Sequence, residues 1–324
     1  MSTRTDEPYG IPVGPYSTAF SLSSGGILHI RGGVGTAGAN PLVVLRRTAF
    51  ASWSSESDER CTVDSSAVGD LLRWAERESL GQDKKLLEQA RARRARSLRA
   101  LERDGYTVAR LHARVQWRLI IGLGTNDNAH GIGTISLHGT YGWPFIPASG
   151  IKGLTAAWAL QSDTEPVLLT RIFGSPRPRD NQDEDDDSAA SPADGAEEPA
   201  HREGVLFLDA LPTAVARVRT DVVTPHAQPY YEQAELARNG RPTKPVPPAE
   251  HHQPVPVSLL TVQQATFAVD LAGRDGDLVA KAADWLSEAG DELGAGAKTS
   301  AGYGYLKVAP DPAWQPQPAP SAED

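Results

Sequence analysis

Between residues 106 and 121 the chain alternates strictly. Ala109, Leu111, Ala113, Val115, Trp117, Leu119 and Ile121 fall on one side, and Arg110, His112, Arg114, Gln116 and Arg118 on the other. A period of two is the repeat of an extended strand. This stretch is therefore predicted to be one strand with a core face and a cationic face.

Helical periodicity appears at Ser65–Ser79 and again at Asp83–Arg103. In the second stretch Leu87, Ala90, Leu98 and Leu101 share one face, while Lys85, Arg96, Arg99 and Arg103 gather on the opposite one. That basic face either meets RNA phosphates or an acidic partner subunit, or is a solvated face on a core-packed helix. Arg94 interrupts the apolar stripe, which favours packing against a polar partner. Val205–Leu211 reads as a buried strand and Asp221–Val223 as a short one. Ala265–Leu271 reads as a strand with Phe267 and Val269 inward, Leu278–Leu293 as a helix, and Tyr303, Tyr305 and Lys307 as lying on a last strand. The order predicts an α+β, ferredoxin-like (RRM-like) fold in which strand and helix recur in split units. Residues 1–105 form an N-terminal arm and helices, with 1–40, rich in Gly, Ser and Pro, irregular. Residues 106–310 form the main domain, and 311–324 a flexible proline-rich tail. Residues 224–256 are too proline-rich for regular structure, yet hold His226, Tyr230, Tyr231, His251 and His252.

The formal net charge of -9 argues against nucleic acid until it is located. Residues 180–198 carry nine acids and no Lys or Arg, so the rest of the chain is neutral. An acidic run set among Ser, Ala, Pro and Gly buries little and repels itself, so 176–203 is read as a disordered insert. The single cysteine, Cys61, supplies neither an internal disulfide nor a zinc cluster. No apolar run approaches the roughly 18 residues of a membrane span, and no charged segment followed by an apolar one opens the chain, so a cytoplasmic protein is expected. No metal or other cofactor is expected.

Two glycine-framed loops each hold one lysine: Gly139–Leu154 (GTYGWPFIPASGIKGL) and Gly294–Tyr305 (GAGAKTSAGYGY). Backbone N–H groups, glycine and a point charge together grip a phosphate backbone without reading bases. In the first loop Ser149, Lys152 and Gly153 lie where a helix begins near Gly150. In the second, Gly294, Gly296, Lys298, Thr299, Ser300 and Gly302 let RNA approach the main chain closely. The plainer reading of either loop is a tight turn with a structural lysine. The second loop also echoes a P-loop, but Ala297 stands before the lysine and a strand comes next, so ATPase chemistry is excluded. Asp127 and His130 are either an acid–base pair for RNA cleavage or an Asx-turn and a surface histidine. His226, His251 and His252 lack metal-ligand spacing.

Six ordered blocks carry a resemblance: IGLGTND (121–127), HGTYGWPFIPASGIKG (138–153), GVLFLDALP (204–212), DVVTPHAQPYY (221–231), PVPVSLLTV (254–262) and GAGAKTSAGYGY (294–305). Together they resemble the RAMP superfamily, and within it the sixth Cmr subunit of type III-B CRISPR effector complexes, over roughly residues 110–308. The loop departs from the family's usual Pro-Gly-Ser-Ser-Leu-Lys-Gly, reading Pro147-Ala148-Ser149-Gly150-Ile151-Lys152-Gly153, with Ser149 and Lys152 kept. The resemblance implies an RNA-binding assembly subunit of an antiviral ribonucleoprotein, in contact with guide CRISPR RNA and target RNA. It also implies a cap on the complex near the guide's 3′ end, beside a backbone RAMP subunit and the small helical subunit. Target cleavage would belong to the repeated backbone subunit, so this chain is expected to be non-catalytic; the alternative is a RAMP endoribonuclease that processes guide RNA or cleaves target. Residues 221–256 would be a loop or thumb intruding into the guide–target duplex, where Tyr230 and Tyr231 either stack on bases or pack on the domain.

Overall fold

The computed structural model of the chain describes residues 72–77, 79–122, 135–162, 164–175, 204–224 and 256–315. It also describes short pieces at 10–12, 20–22, 28–30, 40–42, 50–53 and 61–63, and single positions at 230, 233, 237, 244 and 247. In the N-terminal arm the short strands β1 (Gly10–Pro12), β4 (Phe50–Trp53) and β5 (Cys61–Val63) pair in that order, and β2 (Phe20–Leu22) pairs with β3 (Leu28–Ile30). The described part of the arm is therefore not wholly irregular as the sequence predicts; brief antiparallel pairings form between its glycine- and proline-rich stretches. After a helical piece over 72–77 and a 3-10 turn at Ser79–Gly81, helix α1 spans Lys84–Arg103. Its start is fixed by Asp83, whose carboxylate accepts the Leu86 N–H at 3.0 Å.

The predicted strand over 106–121 is two strands. β6 (Thr107–Val115) ends at a bend over Gln116 and Trp117, and β7 (Arg118–Leu119) joins a different sheet. Leu119 and Ile120 are both buried, which strict alternation does not allow. Helix α2 (Ala148–Gln161) and helix α3 (Pro166–Phe173) come next. The predicted strand over 205–211 is likewise broken, into β8 (Leu206–Phe207) and β9 (Leu211–Pro212). Then come β10 (Arg217–Val223), β11 (Val257–Gln263), β12 (Thr266–Gly273), helix α4 (Gly276–Glu292), a 3-10 turn at Thr299–Ala301 and β13 (Leu306–Pro310).

The main sheet runs β13-β6-β12, with β8 and β9 both pairing the far side of β12, and every pairing is antiparallel. With α2 after the first strand and α4 after the third, the order across the sheet is fourth, first, third, second, which is the ferredoxin-like arrangement predicted from sequence. A second sheet, β10-β11-β7, packs Val218, Leu260 and Val262 into the same core. Leu111, Ala113, Val115, Phe267, Val269, Leu271 and Leu306 form the side of the main sheet that joins Ala282, Trp285 and Leu286 of α4 in that core.

The opposite side of the sheet is half covered. Leu98 and Leu101 of α1 pack there on Val108, Ala272 and Trp314. Arg91 of α1 donates to the Thr213 carbonyl at 2.6 Å, and Arg94 to the Asp209 carbonyl at 3.3 Å. The polar partner implied by Arg94 is thus the chain's own sheet. Residues 311–315, predicted as the start of a flexible tail, are docked: Trp314 lies beneath the Arg99 guanidinium, 3.7 Å from its ring centroid, and Asp311 pairs with Arg110 at 3.6 Å and with His112 at 3.3 Å. Residues 316–324, the acidic insert 176–203, Asp127 and His130, and the histidines 226, 251 and 252 lie outside the described residues.

Candidate nucleic-acid interface

The loop that leads into α2 is built on rings. His138 stacks on Tyr141 (centroids 4.7 Å apart) and Tyr141 on Trp143 (4.5 Å), while Trp143 packs against Leu87 and Ala90 of α1. Asn40 clamps the same loop by donating to the Gly139 carbonyl at 2.8 Å. Burial holds the His138 imidazole below its ordinary value of 6.5, Asp209 pulling it up and Arg94 pushing it further down. Helix α2 starts at Ala148 rather than near Gly150 because Asp209, turned out by the break between β8 and β9, accepts the Ala148 N–H at 2.7 Å. A carboxylate there already complements the positive helix end. Asp209 is the residue that sequence reading missed; an acid inside the otherwise apolar block 204–212 was its signal. Next to it Ser149, Gly150 and Gly153 are exposed, and the two glycines have open space where a side chain would stand. Lys152 is half-buried, one turn into the helix.

The second loop is fastened by main chain to β7 and the residue just beyond it. Ala297 N–H donates to the Ile120 carbonyl (2.8 Å), Gly304 N–H to the Arg118 carbonyl (2.7 Å), and Ala295 N–H to the Gly304 carbonyl (2.8 Å). Gly294, Gly296, Gly302 and Gly304 all have positive φ. A Cβ on Gly296 would stand 2.2 Å from the Ile120 oxygen and one on Gly304 2.0 Å from the Ala295 oxygen. At Gly296 and Gly304 the close approach is therefore to the protein's own backbone. Gly294 is buried against Gly304 and Thr299. Lys298, Ser300 and Gly302 are exposed, and Thr299 is half-buried. The loop and the start of α2 are anchored on different elements, one on β7 and the other on Asp209.

A polar network joins this loop to the root of residues 224–256. Asp221 on β10 accepts from the Tyr303 hydroxyl at 2.6 Å and pairs with Arg118. Burial would raise the Asp221 carboxyl, but the hydrogen bonds from Arg118 and Tyr303 outweigh it and hold the group below its ordinary value of 3.8. Burial, together with Asp221, holds the Tyr303 hydroxyl above its ordinary value, so it stays a donor. A depressed carboxyl contributes stability that is present above its unfolded value and lost as pH falls through the folded one. Acid unfolding should therefore steepen below about pH 4 in the wild type, and Asp221→Asn should flatten that limb while lowering stability at neutral pH. Equal acid limbs in the two proteins would count against this network as a source of acid sensitivity.

The remaining predicted residues divide. Arg96 is exposed on α1. Arg99, assigned to the outer basic face, instead spans Trp314, the Glu102 carboxylate at 2.7 Å and the Gln315 carbonyl at 2.7 Å. Tyr230 is 40% exposed, and its backbone, with Gln233 and Ala237, is helical where the sequence predicts no regular structure; Tyr231 lies outside the described residues. On the uncovered end of the main sheet, Arg114 and Lys307 lie side by side across the β6–β13 pairing, both exposed and with no ion pair to any described residue. Among the described residues no group of three or more His, Cys, Asp or Glu is placed to hold a metal, and no helix is long and apolar enough to cross a membrane.

Residues 120–307, more than half of the chain, match the family profile of the RAMP superfamily. Along an alignment of 240 positions that covers 60% of the chain, the sequence is 30% identical to the CRISPR system Cmr subunit Cmr6 of Pyrococcus furiosus. The match spans 66% of that protein, just under two thirds of its length. Among solved structures, the chain is similar in fold to a chain of the cryo-EM structure of the type III-B Cmr-beta complex bound to cognate target RNA. The TM-score is 0.50 at 22% identity, covering 78% of this chain and 76% of the other. The ferredoxin-like order, the paired glycine loops and the matched profile agree: the chain belongs to the RAMP superfamily.

Proposed function

We propose that this protein is an RNA-binding assembly subunit of a type III-B CRISPR ribonucleoprotein. In this reading it caps the backbone of the complex near the guide RNA's 3′ end, touches a backbone RAMP subunit and the small helical subunit, and contributes to target RNA binding without cleaving it. The observation that carries the reading is Lys298. It is exposed, and it holds a left-handed backbone (φ 63°) in a loop where the other left-handed positions are glycines. A side chain costs about 1–2 kcal/mol in that conformation relative to glycine. A lysine kept there at that cost supports a role for its ammonium, and in a RAMP-family chain similar to Cmr6 the partner in keeping with the fold is an RNA phosphate. Such contacts hold any guide sequence, because phosphates carry no base identity.

The test is purification of the tagged chain from its host with its partners and RNA, followed by salt titration of RNA retention. Repeat-tagged small RNA and other Cmr-type subunits should be recovered. Lys152→Ala and Lys298→Ala should each weaken retention and lower the salt slope by about 1. Target cleavage by a complex carrying Asp127→Ala and His130→Ala should be unchanged. Recovery of the chain without RNA would end the RNA-binding reading, and loss of cleavage in the double variant would favour the endoribonuclease.

A further inference from the structure

Sequence alternation places Trp117 in the core, yet it is 51% exposed. It stands at the bend between β6 and β7, beside the outer end of the glycine loop. The Arg118 guanidinium lies 4.5 Å from its ring centroid, and Tyr303 packs on it at 5.2 Å with the rings tilted by 47°. Gly302 abuts the ring edge: a Cβ built there would meet the Cζ3 and Cε3 atoms of Trp117 at 3.8 and 3.9 Å and nothing nearer. The indole is thus held by a cation and a ring while the residue as a whole keeps about half of its surface exposed. The loop is tied to that support, since Tyr303 N–H donates to the Lys298 carbonyl at 3.2 Å and Gly302 N–H to the Thr299 carbonyl at 2.9 Å.

We propose that Trp117 is a stacking platform for a base of single-stranded RNA, working with Lys298, which takes an adjacent phosphate. Indole offers every base the same π-face, so the contact tolerates any sequence. The ring is already immobilised by Tyr303 and Arg118, so little side-chain entropy remains to be lost on binding. The surroundings favour RNA over a protein partner. Charged residues are depleted at the core of a protein–protein patch, whereas this ring is bordered by Arg118, Tyr303 and Gly302, in the loop that carries Lys298. Arg114, exposed and without an ion pair to any described residue, lies three residues earlier in the chain. The nearby Asp221 charge is already engaged by Arg118 and Tyr303.

This inference rests on the RNA-binding reading, and the experiment separates the two. The full-length chain is titrated with a fluorescent oligoadenylate of twelve nucleotides and with an abasic ribose-phosphate oligomer of equal length and charge. Wild type should prefer the base-bearing RNA. Trp117→Ala should lose roughly 5- to 100-fold of affinity for oligoadenylate and little for the abasic chain, with its salt slope unchanged. Trp117→Phe, which keeps a ring, should recover most of the preference, and Lys298→Ala should weaken both oligomers. Binding of neither oligomer by wild type would overturn the RNA-binding reading and this inference with it. Binding with the same base preference in Trp117→Ala would overturn the platform alone. If that variant bound RNA normally but failed to co-purify with other subunits, the exposed ring would be a protein contact, and the platform would again be overturned.

Discussion

Replacing Asp270 with alanine is expected to cost the fold about 3–5 kcal/mol, read as a lower denaturation midpoint at unchanged slope. Asp270 is 1% exposed in the middle of β12, directly across from Arg110 on β6. Its carboxylate lies 3.3 Å from the Arg110 guanidinium and 3.7 Å from that of Arg94 on α1. The closer approach lacks hydrogen-bond geometry, so the contact is chiefly Coulombic. Burial holds the Asp270 carboxyl above its ordinary value even against these two cations, so the cluster is under strain from desolvation. Removing the acid alone would leave Arg110 buried with Asp311 as its remaining ion-pair partner, and would remove one of the ties between α1 and the sheet. Replacing Asp270, Arg94 and Arg110 together with apolar residues of similar volume should return most of the loss, since no charge is then left buried alone. A loss under about 1 kcal/mol for Asp270→Ala would mean that water reaches the cluster and that α1 is held by Leu98 and Leu101 instead.

That cluster marks the limit of what sequence patterning reaches. The alternation over 106–121 locates β6 and assigns Leu111, Ala113 and Val115 to the core, where they lie. It also runs six residues past the strand's end, to 121, because a bend of two residues, Gln116 and Trp117, preserves the parity of a period-two pattern. Trp117 counts as inward for that reason. Helix α1 is legible within one residue from its 3.6-residue stripe, since Asp83 caps it locally. The destination of its charges is not local. Arg99 reads as an outward cation from spacing alone, and only the return of the chain at Trp314 after β13 places a ring beneath it. Likewise the glycines of the last loop are visible as conformational exceptions, but whether each faces RNA or the protein's own carbonyls depends on β7, far away in sequence.

Gly304→Ala should be among the most damaging single-methyl changes in this chain, and Gly302→Ala, at nearly the same backbone angle, should not. Both glycines are left-handed, with φ of 83° and 87°. The new methyl at 302 meets only the edge of Trp117 at 3.8 Å, so the expected cost is the conformational term of about 1–2 kcal/mol. At 304 the methyl would stand 2.0 Å from the Ala295 oxygen and 3.0 Å from its carbon, both main-chain atoms. Relief requires moving the segment that bonds Ala295 to Gly304 and Gly304 to Arg118, so at least about 3 kcal/mol is expected. Parallel thermal or urea unfolding of the two variants compares methyls of one size in one loop, and the difference isolates the backbone contact. Gly304→Ala should also weaken RNA retention with Lys298 intact, because the segment that must move links the loop to β7. Equal costs for the two variants would mean that the loop relaxes freely, and a loop that relaxes freely would not hold Lys298 in its left-handed conformation.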